Sequence, residues 1–418
     1  MNIAEQITSI AKHAKKASRD VAALNTQQKN RILSDIRDLL ISEKDLLQKE
    51  NRKDIEKAED HGLSKAMIDR LTLSDKIIDG MAEGLNEVIN LPDPVGEVEK
   101  MWKRPNGLQV GKVRIPLGVI GMIYESRPNV TIDAAGLCLK SGNAIILRGG
   151  KEALNSNLAL ADIIQKALTK SGVSENAVQV IPTTDREAVT EMLKLQELID
   201  VIIPRGGESL IRTVYENSRI PVIAHYKGVC HVFIDQSADP LMAEQITINS
   251  KTHRPGVCNA LETLLVHSAF AETHLLNLIK ALKEKGVIIK GCKKTAAIAG
   301  DIEKATEEDW HTEYLDLRLS IRIVENMEEA MDHIECYGSK HTETIVTSDY
   351  ANGRKFLSAV DSSVVLINAS TRFNDGGQLG LGAEIGISTS KLHSFGPMGL
   401  EELTTKKFIV FGEGQIRE

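Results

Sequence analysis

Val119-Ile-Gly-Met-Ile-Tyr-Glu-Ser-Arg-Pro-Asn-Val-Thr-Ile-Asp-Ala-Ala-Gly-Leu-Cys-Leu-Lys-Ser-Gly-Asn-Ala-Ile-Ile-Leu147 is the stretch that decides the fold. A β-rich run at 119–124 gives way to an apolar, helix-like run at 133–139, and a second β-rich run follows at 144–147. Strand, helix and strand in that order form the repeating unit of a parallel sheet. The rhythm continues outward through β-rich runs at 178–181, 201–203 and 222–224. A second series follows at 264–266, 287–289, 321–324, 344–347 and 364–367, again with helical patterns between the runs. Two α/β lobes meeting near residue 250 are therefore expected.

Upstream of this pattern the first ninety residues read as helices. Ile32, Leu33, Ile36, Leu39, Leu40 and Leu47 recur at turn-like spacing, and Leu71-Thr-Leu-Ser-Asp75 offers a cap for a helix through Ile77, Ile78 and Met81. The character changes at Pro92-Asp-Pro-Val95. Two extended runs, 98–102 and 108–115, flank Pro105-Asn-Gly107, and Asn-Gly between such runs signals a hairpin. The last β-rich run, 408–411, is detached from both lobes in sequence and is expected to pair with that hairpin or with another subunit.

At 418 residues the chain exceeds what one hydrophobic core usually supports, so more than one domain is expected. A net charge of −7, from 51 basic and 58 acidic residues, gives no basic footprint for nucleic acid. No apolar run reaches membrane-spanning length, and the first residues lack the basic start and apolar block of a signal peptide. Five scattered cysteines point to a reducing compartment, with the cytoplasm as the expected location.

One of those cysteines stands apart. In Lys251-Thr-His-Arg-Pro-Gly-Val-Cys-Asn-Ala-Leu-Glu262, Pro255-Gly256 forces a turn before Cys258, while His253 and Arg254 bring positive charge nearby. The spacing suggests a loop entering a helix, a setting that lowers a thiol pKa and supplies the thiolate. A lone cysteine is most often a small packed hydrophobe. Cys138 and Cys230 fit that description in apolar runs, and Cys292 and Cys336 lie in ordinary loop or helix-end contexts. No Cys-x-x-Cys pair and no Cys/His spacing of a zinc site is present, so no metal is expected.

Two glycine pairs bear on ligand binding. No Gly-x-Gly-x-x-Gly follows the first strand, and Gly380-x-Gly382 has the wrong spacing and comes too late. Arg148-Gly-Gly-Lys151 and Pro204-Arg-Gly-Gly-Glu-Ser209 both end β-rich runs, where backbone N–H groups at a helix start can cradle phosphate. Gly206 and Gly207 are the candidates in the second pair. Each pair also reads as an ordinary turn.

Five blocks carry a family resemblance across nearly the whole chain: residues 116–130, 140–152, 203–207, 252–259 (Thr-His-Arg-Pro-Gly-Val-Cys-Asn) and 341–345 (His-Thr-Glu-Thr-Ile). The chain resembles the aldehyde dehydrogenase superfamily, and closely its γ-glutamyl phosphate reductase branch. The resemblance implies two Rossmann-like α/β domains plus a small β oligomerisation element, in a homo-oligomer. A cofactor domain would take residues 1–95 and 116–250, a catalytic domain 251–385, and the oligomerisation element 96–115 and 386–418.

The resemblance makes Cys258 the catalytic thiol and Glu343 the carboxylate that orients the nicotinamide ribose. It sets Arg148 where a cofactor-contacting lysine is usual, and Lys151 where NAD-preferring members carry a glutamate. A cation there favours a 2′-phosphate, hence NADP(H). The usual Pro-Trp-Asn becomes Arg127-Pro128-Asn129, leaving open whether Asn129 or a backbone N–H at Cys258 stabilises the oxyanion. The usual Glu-Leu-Gly-Gly, whose glutamate activates water, is replaced around His225-Tyr-Lys-Gly228, as suits an enzyme that exchanges its thioester with phosphate.

The resemblance implies reduction of γ-glutamyl phosphate to glutamate 5-semialdehyde in proline biosynthesis, with functional coupling to glutamate 5-kinase; the alternatives are another acyl-phosphate or CoA-acylating aldehyde dehydrogenase, or a non-catalytic nucleotide-binding relative. Arg254 and Arg127 are the candidates for the acyl phosphate or the substrate α-carboxylate, since a guanidinium matches either group bidentately.

Overall fold

The computed structural model describes residues 2–417. The chain divides into two compact units. The first runs through Ala224 and takes Gly380–Gly386 and the segment from Met398; the second is His225–Leu379 with Ile387–Pro397.

In the first unit four parallel strands lie in the order Val178–Val180, Ala144–Arg148, Val119–Tyr124, Val201–Arg205. Their side chains are nearly all buried, which is why they read as unbroken apolar runs rather than as alternation. The helices Ile3–Ala22 and Thr26–Ser42 each begin with an asparagine capping box, at Asn2 and Asn25. Ile32, Leu33, Ile36 and Leu40 all face inward at the helical repeat. Helix Asn129–Lys140 packs closely on helix Asp75–Asn90: a Cβ at Gly136 would stand 2.8 Å from Leu85. A buried ion pair, Lys29 to Asp93 at 2.9 Å, ties the helical layer to the segment before the hairpin.

The hairpin forms as expected. Strands Val98–Lys103 and Gln109–Pro116 pair antiparallel around Gly107, whose φ of +92° only glycine adopts readily. Strand Thr404–Phe411 adds to the hairpin's other edge, from Thr404 opposite Pro116 to Phe411 opposite Gln109. Of the two pairings open in the sequence, the chain adopts the one with its own hairpin.

The second unit is built on seven strands, all parallel, in the order Glu303–Lys304, Ile288–Gly291, Arg318–Val324, Leu261–His267, Cys230–Ile234, Thr342–Val346, Val364–Ile367. Cys230–Ile234 is wholly buried, with Val232 opposite Leu264 on one side and opposite Thr344 on the other. That pairing corrects the expected boundary near residue 250. A strand central to the second sheet cannot belong to the first, so the division falls between Ala224 and His225. The expected β element at 386–418 divides as well, since Ile387–Pro397 belongs to the second unit.

Candidate active site

Helix Pro240–Thr252 starts on Asp239, whose side chain accepts the Met242 N–H at 2.8 Å, with Pro240 in the first turn. It ends at Thr252, and strand Leu261–His267 begins nine residues later. Cys258 therefore lies in a turn feeding a strand. The expected helix start at this position is absent, because Leu261 onward pairs in the sheet.

The loop is held from below. Lys251 and Glu262, both fully buried, bond at 2.6 Å across its two ends, and Glu262 also accepts the Leu315 N–H at 3.2 Å. Burial pushes Glu262 up to about 7 and Lys251 down, and each partner's charge opposes the shift. Beside the thiol, the Asn259 amide donates to the Asn374 carbonyl at 2.8 Å.

Gly228 lies against this turn so tightly that a Cβ would stand 1.9 Å from the Cys258 carbonyl oxygen. Its N–H donates to Glu313 Oε1 at 2.9 Å. Three residues earlier, His225 Nδ1 lies 3.0 Å from the carbonyl of Ile387. A carbonyl can only accept, so Nδ1 donates this bond, and in the neutral form of the ring the lone pair is on Nε2. His341, fully buried, has Nδ1 at 2.7 Å from Thr342 Oγ1, and its ring meets that of His225 edge-on at 5.4 Å. One nitrogen of each histidine and the Cys258 sulfur all lie within 4.8 Å of one another. A thiol beside an imidazole whose tautomer is fixed by a third group is the arrangement of an activated nucleophile.

The other cysteines differ in the expected direction. Cys138 and Cys230 are buried, and burial raises both thiols well above their ordinary value. The Cys230 thiol donates to the Cys258 carbonyl at 3.1 Å, so it supports the loop as a thiol. Cys258 is partly exposed.

The expected positive flank gains a member that the sequence did not reveal. Arg254 is exposed on the loop, and Arg372, from the short 3₁₀ turn Thr371–Phe373, reaches His253 Nδ1 at 3.4 Å and feels the charges of both Arg254 and Cys258. Burial lowers the Arg372 pKa, with Asp375 opposing. His225, Arg372 and Glu313 are likewise absent from the sequence-derived set. Their partners lie scores of residues away, and no spacing rule finds them. The same holds for the His225, Cys258 and His341 donor set, which a search for local Cys/His spacing cannot see.

Glu343, the residue expected to orient the nicotinamide ribose, lies in strand Thr342–Val346. It is fully buried mid-strand, accepting the His231 backbone N–H at 3.0 Å and His231 Nδ1 at 2.8 Å, with Ser362 Oγ at 3.4 Å. Burial pushes its pKa up. Glu313 holds, through the Gly228 N–H, the segment that packs on the thiol loop.

The remaining expected residues lie in the first unit. Arg148 closes strand Ala144–Arg148, and its Nη1 and Nη2 donate to the carbonyls of Gly149 at 2.8 Å and Thr184 at 3.0 Å. Lys151, exposed, opens the 3₁₀ turn Lys151–Ala153. Gly206 and Gly207 precede helix Glu208–Asn217, but the Gly207 N–H already donates to Glu125 Oε2 at 3.1 Å. Asn129 starts helix Asn129–Lys140 and donates through its amide to Asp133 at 3.0 Å, and Arg127 is exposed just before it.

The aldehyde dehydrogenase family model matches residues 2–312. γ-Glutamyl phosphate reductase from Desulfatibacillum aliphaticivorans is 60% identical over 417 residues, covering 100% of both chains. The chain belongs to the γ-glutamyl phosphate reductase branch of the aldehyde dehydrogenase family. The enzyme of that name from Geobacter metallireducens is also 60% identical, over 418 residues and 100% of both chains. The crystal structure of the Thermotoga maritima γ-glutamyl phosphate reductase superposes with a TM-score of 0.97 at 47% identity, covering 99% of this chain and 100% of that one. Family membership brings a nicotinamide-dependent oxidoreductase chemistry with it. Among the described residues no helix is long and apolar enough to cross a membrane.

Proposed function

We propose that this enzyme reduces γ-glutamyl phosphate to glutamate 5-semialdehyde and phosphate with NADPH, in proline biosynthesis. The observation that carries the reading is the partly exposed Cys258 thiol on a pinned loop beside two imidazoles.

The Cys258 thiolate attacks the γ-carbonyl carbon. A carbon–sulfur bond forms, the carbon–oxygen bond to phosphorus breaks, and phosphate leaves with that electron pair. Arg254 and Arg372 supply positive charge near the thiol for an anionic substrate. When bound, the nicotinamide cofactor supplies the hydride that reduces the thioester carbon. The carbon–sulfur bond then breaks, the aldehyde departs and the thiolate returns. Lys151 is the residue proposed to meet a 2′-phosphate. Asn129 or a backbone N–H at Cys258 serves the oxyanion, and Arg127 is held as a further substrate contact.

No carboxylate stands in the segment 225–228, and Glu313 Oε1 is engaged by the Gly228 N–H at 2.9 Å. A thioester here is therefore better placed for exchange with phosphate than for hydrolysis. Phosphate-dependent reduction of NADP⁺ with glutamate 5-semialdehyde tests the whole reading. The sheet of Val98–Lys103, Gln109–Pro116 and Thr404–Phe411 is proposed as the homo-oligomer contact. Functional coupling to glutamate 5-kinase and a cytoplasmic location complete the proposal.

A further inference from the structure

We propose that His225, Cys258 and His341 together capture a thiophilic divalent cation, Zn²⁺ above all, and that this capture reversibly silences the enzyme. One thiolate and two imidazoles form a donor set that Zn²⁺ takes in a tetrahedron, with the fourth position left to water.

The distances are close to what such a site needs. With Zn–S near 2.3 Å and Zn–N near 2.0–2.1 Å, tetrahedral donors stand about 3.3–3.7 Å apart. The three donor atoms here lie within 4.8 Å of one another. His341 is fully buried and held at Nδ1 by Thr342, so it acts as the fixed point. His225 and Cys258 are partly exposed and can close the remaining ångström by small side-chain rotations.

Support around the ligands fits too. Metal-bound histidines nearly always donate their other N–H to a carbonyl or carboxylate, which fixes the tautomer and strengthens the ligand. His225 already does so, through Nδ1 to the Ile387 carbonyl at 3.0 Å. Glu313, Lys227 and Gly228 pin the segment that carries His225: Gly228 N–H to Glu313 at 2.9 Å, and Lys227 Nζ to the His311 carbonyl at 2.7 Å. The ligands come from three separate stretches, so the site exists only in the folded chain.

Capture releases the thiol proton to solvent and places the sulfur lone pair on the ion, so no electron is transferred and a chelator restores the thiol. Binding itself needs only the three side chains. Its inhibitory consequence rests on Cys258 being the nucleophile.

The test uses the reduced full-length enzyme with Co²⁺ and Zn²⁺ as probes. Co²⁺ should give a thiolate-to-cobalt charge-transfer band and the intense visible absorption of a tetrahedral site, saturating at one ion per chain. Zn²⁺ should displace it and abolish turnover, and EDTA should reverse both. Cys258→Ala should lose the charge-transfer band, while His225→Gln and His341→Gln, each removing a direct ligand, should weaken Zn²⁺ by at least the roughly 10- to 100-fold that loss of an outer-shell partner costs. His225→Gln sits at a partly exposed position and keeps the test valid should the buried His341 variant fold poorly. No band in the wild type, or undiminished affinity in His225→Gln, overturns the three-ligand site. One-to-one binding at these residues without loss of turnover would leave the site standing and refute Cys258 as the nucleophile.

Discussion

The backbone of Gly228 rests on the carbonyl of Cys258: a Cβ at position 228 would stand 1.9 Å from that oxygen and 2.8 Å from the Cys258 Cα. The segment carrying His225 and the loop carrying the thiol are thus set against each other by a contact that only glycine permits. Backbone on both sides leaves nothing flexible to move aside.

Gly228→Ala should therefore cost about 1–3 kcal/mol in stability, the usual penalty of overpacking, and lower kcat more than that loss explains. Urea unfolding and steady-state kinetics on the same variant check it. Wild-type kcat in a stably folded Gly228→Ala would show that the thiol loop tolerates displacement.

Cys258→Ala should reduce turnover by roughly four orders of magnitude or more while leaving folding and nucleotide binding nearly intact. Cys138→Ala and Cys230→Ala, both in buried positions, should act on stability instead. Cys292→Ala and Cys336→Ala should leave kcat near wild type. Rate and unfolding midpoint, measured across the five variants, separate the two classes.

Lys151→Glu should shift cofactor choice. A charge-assisted hydrogen bond to a 2′-phosphate is worth on the order of 1.5–3 kcal/mol, so the NADP(H)/NAD(H) ratio of kcat/KM should fall roughly ten- to a hundredfold. Arg148 is the weaker candidate for this role, since its guanidinium already serves the carbonyls of Gly149 and Thr184. An unchanged ratio would move specificity away from Lys151.

Asp133 gives a pH signature in the first unit. Burial raises its pKa from 3.8 to about 6, with the Asn129 amide opposing. A carboxyl whose folded pKa is raised contributes stability below its ordinary range and loses it as pH rises through the folded value. Wild-type stability should therefore fall between about pH 4 and pH 7 relative to Asp133→Asn. Denaturant midpoints of both proteins across that window provide the check, and parallel curves would contradict the shift.

Much of the fold was legible because parallel strands buried on both faces leave continuous apolar runs, as at Val119–Tyr124 and Ala144–Arg148. The hairpin was legible from Asn106-Gly107, where the positive φ demands glycine. Cys258 stood out through its local turn chemistry. The helix start assigned there failed because strand pairing of Leu261 with Cys230 overrides a local loop-to-helix reading. The boundary near 250 failed for a related reason: which sheet Cys230–Ile234 joins depends on partners at 261–267 and 342–346. The motif singled out Glu343 but not its partner His231, which meets its carboxylate across neighbouring strands. His225, Glu313 and Arg372 left no local signal, since each acquires its place only through contacts distant in sequence.

The most direct measurement of the central claim follows NADP⁺ reduction with glutamate 5-semialdehyde, with and without added phosphate. The account expects sustained turnover with phosphate, and without it a stall after about one turnover per chain as the Cys258 thioester accumulates. Rapid multiple turnover without phosphate, or none with it, would contradict the account.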